Sequence, residues 1–490
     1  MSLIRIENLT FAYPGSFDNV FEDANIQIDT DWKLGFVGRN GRGKTTLMRL
    51  LMGEFDNEYE GRITSSVDFD YFPYQVSDPG LMTRHVLEEI CPEAQDWEIT
   101  KELSYLEVGS DVLWRSFSTL SEGEKTKVLL AALFLNPGHF LLIDEPTNHL
   151  DLHGREVVAA YLNRKKGFIL VSHDRHFLDN CVDHILSINK ANIEVRKVDF
   201  STWLREFEEK QQREIEENVR LGKDIRKLKE SARQKEDWSN RIEKTKKGEY
   251  DSGYVGHMSA KMMKRSIVLR NRREKAIEEK SELLKNTEFA QELKIHSVPY
   301  HSNRLAELIK VSVRYDDREI NSPVSFTIQR GDRIFLDGVN GAGKSSLLKL
   351  LLGEGIDYSG QLIRGSNLKI SYVPQDTSFV KGSLMDYARS RGIDETLFLT
   401  ILQKMGFMRV QFEKDMAEFS AGQKKKVLLA ASLSEKANLY VWDEPLNYID
   451  IYTRRQLEKL IMEYQPTMIM VEHDKAFRDA VATKVVEIAP

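Results

Sequence analysis

One set of polar motifs occurs twice in this 490-residue chain, about 300 positions apart. The glycine-rich stretch Gly38-Arg39-Asn40-Gly41-Arg42-Gly43-Lys44-Thr45 returns as Gly338-Val339-Asn340-Gly341-Ala342-Gly343-Lys344-Ser345. Five further positions return at nearly the same offset: Gln75 as Gln375, Ser121 as Ser420, Asp144-Glu145 as Asp443-Glu444, and His173 as His473. A repeat in such close register predicts two copies of one domain on one chain.

Short apolar runs stand directly before several of these polar residues. Phe140-Leu141-Leu142-Ile143 precedes Asp144, and Met468-Ile469-Met470-Val471 precedes Glu472-His473. Runs of four or five apolar residues before a polar residue are typical of buried parallel strands. The sequence therefore predicts an α/β fold, with one repeat over residues 1–200 and the other over residues 305–490.

The segment between the repeats, residues 201–304, shares none of these motifs. From Trp203 to about Lys246 it contains one glycine and no proline, and its apolar residues stand near heptad spacing. This pattern predicts a helix about 65 Å long. Gly248 and Gly253 then interrupt the pattern, and a second helical stretch follows from about Ser259 to Leu284. We expect a long antiparallel helical hairpin with its tip near residues 246–263; a passive coiled-coil spacer is the alternative.

Charge is unevenly distributed along the chain. The whole sequence has a net charge of −6, whereas residues 220–275 alone carry +10. A basic segment on an acidic body predicts a polyanionic partner, whose binding would weaken steeply with salt. The predicted tip adds stacking and apolar side chains that we expect to contact this partner, although packing within the turn is the alternative. These tip residues are Tyr250, Tyr254, Val255, His257, Met258, Lys261 and Met262.

Composition argues against several classes of protein. No run of 18 apolar residues is present, so no membrane span is expected. The N-terminus alternates like a strand and lacks the apolar core of a signal peptide. Cys91 and Cys181 stand alone, without the spacing of a zinc or iron–sulfur site, and fit a reducing compartment. We therefore expect a cytoplasmic protein.

The two glycine-rich stretches predict nucleotide sites that use ATP and Mg²⁺. In such loops, backbone N–H groups surround the β- and γ-phosphates at a helix N-terminus. The loop lysine places a positive charge on the phosphates, and the following hydroxyl is offered to Mg²⁺. The residues expected at the nucleotide are Gly38, Asn40, Gly41, Gly43, Lys44, Thr45 and Thr46 in the first repeat, and Gly338, Asn340, Gly341, Gly343, Lys344, Ser345 and Ser346 in the second.

Polar side chains at the predicted strand ends favour hydrolytic chemistry. An aspartate there can hold Mg²⁺ through water, and the glutamate after it can polarise the attacking water. A glutamine can sense the ion or the water, and a histidine can bind the γ-phosphate. The candidate catalytic residues are Glu145, His173, Glu444 and His473, and the candidate metal residues are Thr45, Gln75, Asp144, Ser345, Gln375 and Asp443.

Two further stretches complete the set, Leu120-Ser121-Glu122-Gly123-Glu124-Lys125 and Phe419-Ser420-Ala421-Gly422-Gln423-Lys424. With them, both repeats resemble the ABC ATPase superfamily, whose signature begins a helix with Ser-x-Gly-Gln/Glu. The resemblance implies that each ATP lies between the glycine-rich loop of one repeat and the signature of the other. Site one would join the Lys44 loop to Ser420, Gly422 and Gln423, and site two would join the Lys344 loop to Ser121, Gly123 and Glu124.

Smaller features refine these two sites. Tyr13 and Tyr315 precede the loops by similar distances and resemble the family's adenine-stacking aromatics, although a strand tyrosine is as often part of a core. Both sites keep a glutamate after the aspartate, so both are expected to hydrolyse ATP. The two signatures differ in sequence, so unequal rates are expected.

Three classes of ATPase are candidate interpretations of this domain order. The motor subunit of a membrane transporter has no need of a charged hairpin of about 100 residues, and a chromosome-type ATPase carries its coil within one ATPase domain. The order ATPase, basic helical linker, ATPase resembles the ABC-F translation factors. That resemblance implies a monomer on the 70S ribosome, without membrane or DNA partners. Its linker would enter the exit site, contact large-subunit ribosomal RNA, and point toward the P-site transfer RNA and the peptidyl-transferase centre.

The length of one interval bears on the branch of ABC-F. From the glutamine to the signature serine there are 46 residues in the first repeat and 45 in the second. This leaves no room for the long arm that some members carry, and no C-terminal extension is expected after Pro490. These features resemble the antibiotic-resistance branch, which protects the large subunit from lincosamides, pleuromutilins and streptogramin A. We expect target protection; a housekeeping translation factor and a transporter ATPase subunit are the alternatives.

Overall fold

The structure is a computed structural model that describes residues 2–13, 19–55, 59–148, 150–188, 193–245, 293–315 and 318–490. The chain forms two units. One comprises Met1–Ser201 and Ala290–Pro490, and so contains both repeats; the other comprises Thr202–Phe289. Within the described ranges, no helix is both long enough and apolar enough to cross a membrane.

The first repeat is built around a six-stranded sheet in the order β5-β6-β7-β3-β8-β9, parallel except for β9, with a separate antiparallel sheet β2-β1-β4. Its strands are β1 (Leu3–Phe11), β2 (Phe21–Asp29), β3 (Lys33–Val37), β4 (Glu60–Thr64), β5 (Asp68–Phe72), β6 (His139–Asp144), β7 (Phe168–Val171), β8 (His184–Ile188) and β9 (Ile193–Arg196). Its helices are α1 (Lys44–Leu51), α2 (Thr83–Ile90), α3 (Asp96–Tyr105), α4 (Glu122–Leu133), α5 (Leu152–Asn163) and α6 (Arg175–Cys181).

The second repeat has the same plan, with a parallel sheet in the order β15-β16-β17-β13-β18 and an antiparallel sheet β11-β10-β12 in which β14 also pairs with β10. Its strands are β10 (Arg304–Tyr315), β11 (Arg318–Glu319), β12 (Val324–Gln329), β13 (Arg333–Asp337), β14 (Asp357–Arg364), β15 (Ile370–Val373), β16 (Leu439–Asp443), β17 (Met468–Val471) and β18 (Lys484–Glu487). Its helices are α8 (Lys344–Leu352), α9 (Leu384–Ser390), α10 (Glu395–Lys404), α11 (Ala421–Ser434), α12 (Ile451–Tyr464) and α13 (Lys475–Val481). The predicted α/β fold with two copies of one domain is confirmed.

Strand periodicity divides the core of the second repeat into two layers. Phe335, Trp442 and Met470 pack into one buried cluster, whereas their neighbours Val441 and Ile469 belong to a cluster on the other face of the sheet. Successive side chains of a strand point to opposite faces, so strands that are apolar throughout must be covered on both sides. Full burial of such a side chain contributes about 1.5–3 kcal/mol to the stability of the fold. This packing holds the strand ends in fixed positions.

The linker begins with α7, a 46-residue helix over Phe200–Thr245. At about 1.5 Å per residue this helix is about 69 Å long. Charged side chains four residues apart pair along it, Arg213 with Glu209 at 3.2 Å and Arg226 with Glu230 at 2.9 Å, which favours helix in a polar sequence. The helix agrees with the first arm of the predicted hairpin. The predicted return arm lies outside the described residues, and so do the predicted tip residues Tyr250, Tyr254, Val255, His257, Met258, Lys261 and Met262.

Candidate nucleotide sites between the two repeats

Each glycine-rich loop connects the carboxyl end of a central strand to a helix, β3 to α1 and β13 to α8. Gly43 is the residue before α1 and has a left-handed backbone, with φ of 90°. A Cβ atom there would also lie 2.5 Å from a methyl group of Val20, so only glycine fits. Lys44 Nζ donates to the carbonyl oxygen of Gly38 at 2.7 Å, and Lys344 Nζ donates to that of Gly338 at 2.6 Å. Both ammonium groups are thus held inside their loops, where phosphates bind.

A hydroxyl and a carboxylate meet beside each loop. Thr45 Oγ1 donates to Asp144 Oδ2 at 3.3 Å, and Ser345 Oγ donates to Asp443 Oδ1 at 3.1 Å. Burial raises the pKa of Asp443 to about 6, while the hydrogen bond from Ser345 opposes the rise. An ion of the size of Mg²⁺ takes a hydroxyl and an aspartate together with phosphate oxygens and water, so these pairs fit a magnesium–nucleotide complex.

The two candidate catalytic glutamates share an unusual backbone. Glu145 follows β6 with φ of 51°, and Glu444 follows β16 with φ of 46°. A non-glycine residue in this region carries strain, of the kind often found at functional sites. The backbone N–H of each donates to the end of the neighbouring strand at 2.9 Å, to Val171 and Val471 respectively. The strand ends therefore fix both glutamates despite the strain.

The side chains around the two glutamates differ. Glu444 Oε2 accepts hydrogen bonds from Gln375 Nε2 at 2.9 Å and from Asn447 Nδ2 at 2.5 Å, and Glu444 Oε1 lies 3.8 Å from His473 Nε2. Glu145 Oε1 lies 3.4 Å from His173 Nε2 and is buried without a hydrogen-bond partner among the described residues. Buried polar atoms without partners are rare, and an attacking water would satisfy this oxygen by donating a hydrogen bond to it.

The pKa values of the two glutamates are also shifted in opposite directions. Burial and the adjacent Asp144 charge raise the pKa of Glu145 to about 8. Burial also acts to raise the pKa of Glu444, but His473, Lys425 and Gln375 outweigh it, so that the pKa of Glu444 lies below its ordinary value. Glu444 is thus held in the ionised form that can accept a proton from water.

The two glutamines do not occupy equivalent places. In the first repeat, Phe72 of β5 pairs with Ile143 of β6, which directly precedes Asp144. In the second repeat, Val373 of β15 pairs with Trp442 of β16, which directly precedes Asp443. This register makes Phe72 the counterpart of Val373, and therefore makes Tyr74 the counterpart of Gln375. Gln75 lies one residue further along and is exposed, outside the lining of the site-one cavity. Only Gln375 is brought to its glutamate.

Site one contains residues of both repeats. Its cavity, about 1450 Å³ including the part open to solvent, is lined from the first repeat and from the predicted second signature. Asn40 Nδ2 donates to the carbonyl oxygen of Tyr448 at 2.9 Å across the repeats, and Asn40 Oδ1 accepts from His173 Nε2 at 3.1 Å. The predicted residues that line this cavity are Tyr13, Asn40, Gly41, Gly43, Lys44, Thr45, Thr46, Asp144, Glu145, His173, Ser420, Gly422 and Gln423.

Site two also contains residues of both repeats, but its signature side differs. From the first repeat the cavity, about 1060 Å³ including open solvent, is lined by Glu122, Asn148 and Leu150. Ser121, Gly123 and Glu124, which were predicted there, lie outside this lining. The predicted residues that do line it are Tyr315, Asn340, Gly341, Gly343, Lys344, Ser345, Ser346, Gln375, Glu444 and His473.

The signatures have a clear structural role as helix starts. Ser121 caps α4 and Ser420 caps α11, each accepting a hydrogen bond from the backbone N–H three residues later. The side chains of Glu124 and Gln423 reach back to the backbone N–H of these serines at 2.8 and 2.9 Å. This reciprocal capping box fixes the helix N-termini, which attract phosphate. The sequence motif thus encodes a local structure as well as a site.

The predicted aromatics lie at the cavity edges. Tyr13 and Tyr315 are 40% and 47% exposed, and their hydroxyls hydrogen-bond Thr46 at 2.8 Å and Ser346 at 3.1 Å. These bonds tie each ring to the first turn of the helix after the glycine-rich loop. The ring positions fit stacking on a base, since a half-exposed aromatic face is available in each cavity.

Several contacts at the sites were not expected from sequence. Lys426 Nζ donates to Asp450 Oδ2 at 2.6 Å, and Arg454 pairs with Asp474 at 2.9 Å, all four being buried. Lys425 is also buried, and burial lowers its pKa to about 8 although Asp443 opposes the shift. In sequence, Lys424-Lys425-Lys426 looks like a solvated surface. The helical spacing of Lys425 from buried Gly422, Leu429 and Ser432 is the one signal that places it inward.

Comparison with known proteins identifies relatives along nearly the whole chain. The model of the ABC transporter family matches residues 21–148 and 321–447. The ATP-binding protein Uup of Caulobacter vibrioides is 29% identical over 480 positions, covering 96% of this chain and 74% of Uup. The energy-dependent translational throttle protein EttA of Escherichia coli K12 is 27% identical over 529 positions, covering 96% and 89%. The ribosome protection protein VmlR of Bacillus subtilis is 26% identical over 495 positions, covering 97% and 84%.

A solved structure is similar in fold as well. A chain from a model of ribosome-bound archaeal Pelota and ABCE1 matches with a TM-score of 0.62 and 20% identity. The match covers 98% of this chain and 76% of the other. At this identity the likeness concerns the fold alone.

Proposed function

The chain belongs to the ABC transporter family of ATPases, whose domain it carries twice, and since it resembles the ABC-F proteins of that family, we propose that it binds the ribosome and protects it from antibiotics. The protein is an ATPase. The polyanionic partner of the basic linker would be the large ribosomal subunit. The linker would displace a drug from the peptidyl-transferase region, and ATP would control how the protein binds and leaves.

The ATP sites support control by nucleotide. Each cavity is lined by both repeats, so a nucleotide bound there contacts both. A ligand that binds the closed arrangement better than the open one shifts the population toward it. The linker connects β9 of the first repeat to β10 of the second, so closure of the repeats acts on both ends of the linker. Hydrolysis, assisted by Glu444 and Glu145, would then reverse the closure.

The observation that carries the ribosomal assignment is the likeness to VmlR and EttA along nearly the whole chain, linker included. The name of VmlR describes ribosome protection, and that of EttA describes a translational throttle. The charge of the linker supports the same partner, because +10 within residues 220–275 suits ribosomal RNA phosphates. A transporter subunit would have no use for this charge.

Two observations favour protection over throttling. The alignment with EttA extends over 529 positions, more than the 490 residues of this chain, so EttA carries insertions that this chain lacks. The alignment with VmlR extends over 495 positions. In addition, the interval before the signature holds two helices in each repeat, α2 and α3 or α9 and α10, without an added arm. A housekeeping factor that regulates P-site transfer RNA is the second candidate, and the likeness to EttA favours it.

Ribosome binding is tested by co-sedimentation. The double variant Glu145→Gln, Glu444→Gln should bind ATP but hydrolyse it slowly, and should therefore stay closed. We expect it to sediment with 70S ribosomes only when ATP is present, and to be released when the salt concentration is raised about fourfold, from 50 to 200 mM. The matched control Lys44→Ala, Lys344→Ala should not bind ATP and should stay in the supernatant. No association of the first variant in any condition would exclude a ribosomal factor.

Drug protection separates the two candidates. Cells that express the protein should survive raised concentrations of a lincosamide or a pleuromutilin. The tip variant Tyr254→Ala should lose this protection and keep its ATP turnover. If the protein binds ribosomes and changes elongation without any drug, but confers no survival, the housekeeping factor is the better assignment. Equal loss of protection and ATP turnover in Tyr254→Ala would contradict separate roles for linker and repeats.

A further inference from the structure

One buried lysine of the second repeat has no assigned role. Lys425 lies in α11, five residues after Ser420, and is 1% exposed. Burial of an ammonium group is costly unless its three donors are satisfied. Lys425 Nζ donates to the backbone carbonyl oxygens of Pro374 at 2.9 Å, Gln375 at 3.2 Å and Asp443 at 3.3 Å. Three acceptors thus surround one buried charge.

All three acceptors belong to the catalytic edge of site two. Pro374 and Gln375 follow β15, and Asp443 is the last residue of β16. The Gln375 side chain in turn donates to Glu444 at 2.9 Å. Lys425 therefore fixes the backbone of the glutamine and of the metal-binding aspartate relative to one another. It does not face the nucleotide itself, because its ammonium group is turned to these carbonyls.

The same helix contacts site one at its N-terminus. Ser420, Gly422 and Gln423 line the site-one cavity. A Cβ atom on Gly422 would lie 2.5 Å from the carbonyl oxygen of Tyr448, which accepts the hydrogen bond from Asn40 of the first repeat. Lys425 follows Ser420 by about 7.5 Å along the helix axis, at about 1.5 Å per residue. One rigid helix thus spans from the nucleotide of site one to the catalytic strand ends of site two.

The first repeat has no such connection at this position. Ser121 corresponds to Ser420, so Thr126 corresponds to Lys425. Thr126 is buried too, but its side chain is short and neutral. It cannot span the distance that the four methylene groups of Lys425 span. A link built on this residue therefore runs in one direction, from site one to site two.

We propose that Lys425 is a positioning residue that couples the nucleotide in site one to hydrolysis in site two. ATP in site one holds the N-terminus of α11, and α11 holds Lys425 against the carbonyls of Gln375 and Asp443. This places Gln375 on Glu444 and the carboxylate of Asp443 beside Ser345. Helix α11 can couple the two sites because both of them contact this one packed helix.

The experiment isolates each site with a glutamate variant. In Glu145→Gln protein, steady-state hydrolysis reports site two. There, Lys425→Met should lower kcat about tenfold and leave KM within about twofold, as expected for a coupling residue that does not bind substrate. The matched control Lys424→Met, on the same helix and only partly buried, should leave both unchanged. In Glu444→Gln protein, which reports site one, Lys425→Met should not change the rate.

A double-mutant cycle tests the coupling itself. Lys44→Ala, which prevents ATP binding in site one, should lower the site-two rate in Glu145→Gln protein to about the level of Lys425→Met. Adding Lys425→Met to it should then have little further effect. A full tenfold loss on top of Lys44→Ala would overturn the coupling, because Lys425 would then act without site one. Equal loss of rate at both sites would overturn it as well.

Folding is controlled separately. Thermal unfolding of each variant shows whether the substituted protein is still folded. Lys425→Gln retains two N–H donors without the charge, and it should recover part of the site-two rate. If Lys425→Met does not fold, Lys425→Gln carries the same cycle, since it leaves fewer carbonyls without a donor. A folded Lys425→Met protein in which the rate at site two depends on Lys44 as in the wild type would overturn the proposal.

Discussion

At the residue scale, nearly identical motifs make two unequal sites. Glu444 is held by Gln375 and Asn447, whereas one carboxylate oxygen of Glu145 has no hydrogen-bond partner among the described residues. The difference begins with one position of register at the end of β5, where Tyr74 stands in the place of Gln375. Sequence spacing paired Gln75 with Gln375 because these glutamines are 300 residues apart, which is also the offset between the two glycine-rich stretches. Spacing alone cannot reveal a register that backbone pairing with β6 and β16 fixes.

The glutamine difference can be tested directly. Gln375→Ala removes the hydrogen bond to Glu444, so we expect hydrolysis at site two to fall by about 10- to 100-fold. Gln75→Ala, the matched control in the other repeat, changes an exposed side chain and should lower the rate at site one less than about twofold. Both rates are measured as phosphate release, in Glu145→Gln protein for site two and in Glu444→Gln protein for site one. A larger loss from Gln75→Ala than from Gln375→Ala would contradict the structural register.

At the element scale, strands were easier to predict than the surfaces of helices. The apolar runs before Asp144 and His473 form β6 and β17, as predicted. Such runs are easy to recognise, because a strand that is covered on both faces is apolar at successive positions. Lys425 and Lys426 were missed because a run of lysines is usually solvated. The helical spacing of Lys425 from Leu429 and Ser432 is a weak local signal, and the packing of α11 against β15 is what shows that this face of the helix is buried.

Helix α12 is anchored by a buried ion pair that can be tested. Arg454 Nη1 donates to Asp474 Oδ2 at 2.9 Å, and its other donors bind the carbonyls of Ile449 and Leu446 at 2.9 Å each. Burial acts to raise the pKa of Asp474, but Arg454 and Arg175 outweigh it and lower that pKa. Arg454→Met leaves a buried carboxylate without its main counter-charge, so the free energy of unfolding at pH 7 should fall by about 3–5 kcal/mol. Urea denaturation measures this change.

The pH dependence of that loss follows from the sign of the shift. In the wild type, the low pKa of Asp474 gives stability that is present above the ordinary aspartate pKa and is lost as the pH falls through the folded value. In Arg454→Met the pKa of Asp474 should rise, so the variant regains stability as the pH falls. The difference between the two proteins should therefore be smaller at pH 5 than at pH 7. Arg389→Met, which breaks a pair that is 62% exposed at the arginine, is the control and should cost less than about 1 kcal/mol at both.

At the scale of the whole molecule, the two repeats meet in a nearly symmetric way. Arg175, the first residue of α6, pairs with Glu458 of α12 at 2.8 Å, and Lys475, the first residue of α13, pairs with Glu156 of α5 at 3.7 Å. The guanidinium of Arg39 lies 5.3 Å from the centre of the Tyr452 ring. The internal repeat in the sequence predicts that two similar domains face each other. It does not predict which side chains meet, because interface residues follow no motif.

The Arg175–Glu458 pair should help to close the repeats on ATP. Both side chains are 12% exposed, so a like-charge contact there is poorly screened. Arg175→Glu should raise the KM for ATP at least about tenfold, because like charges at a packed interface repel each other and oppose closure. Lys475→Glu, whose pair is longer and more exposed, should have a smaller effect.

The charge-reversed double variant decides whether the pair itself matters. Arg175→Glu with Glu458→Arg restores opposite charges, so we expect the KM for ATP to return part of the way toward the wild-type value. Recovery should be incomplete because Glu458 also pairs with Arg455 at 2.6 Å, and an arginine at 458 would face that charge. Steady-state ATPase assays at low and high salt measure the effect, which should change little with salt because the pair is mostly buried. A double variant no better than Arg175→Glu alone would mean that closure depends on other contacts between the repeats.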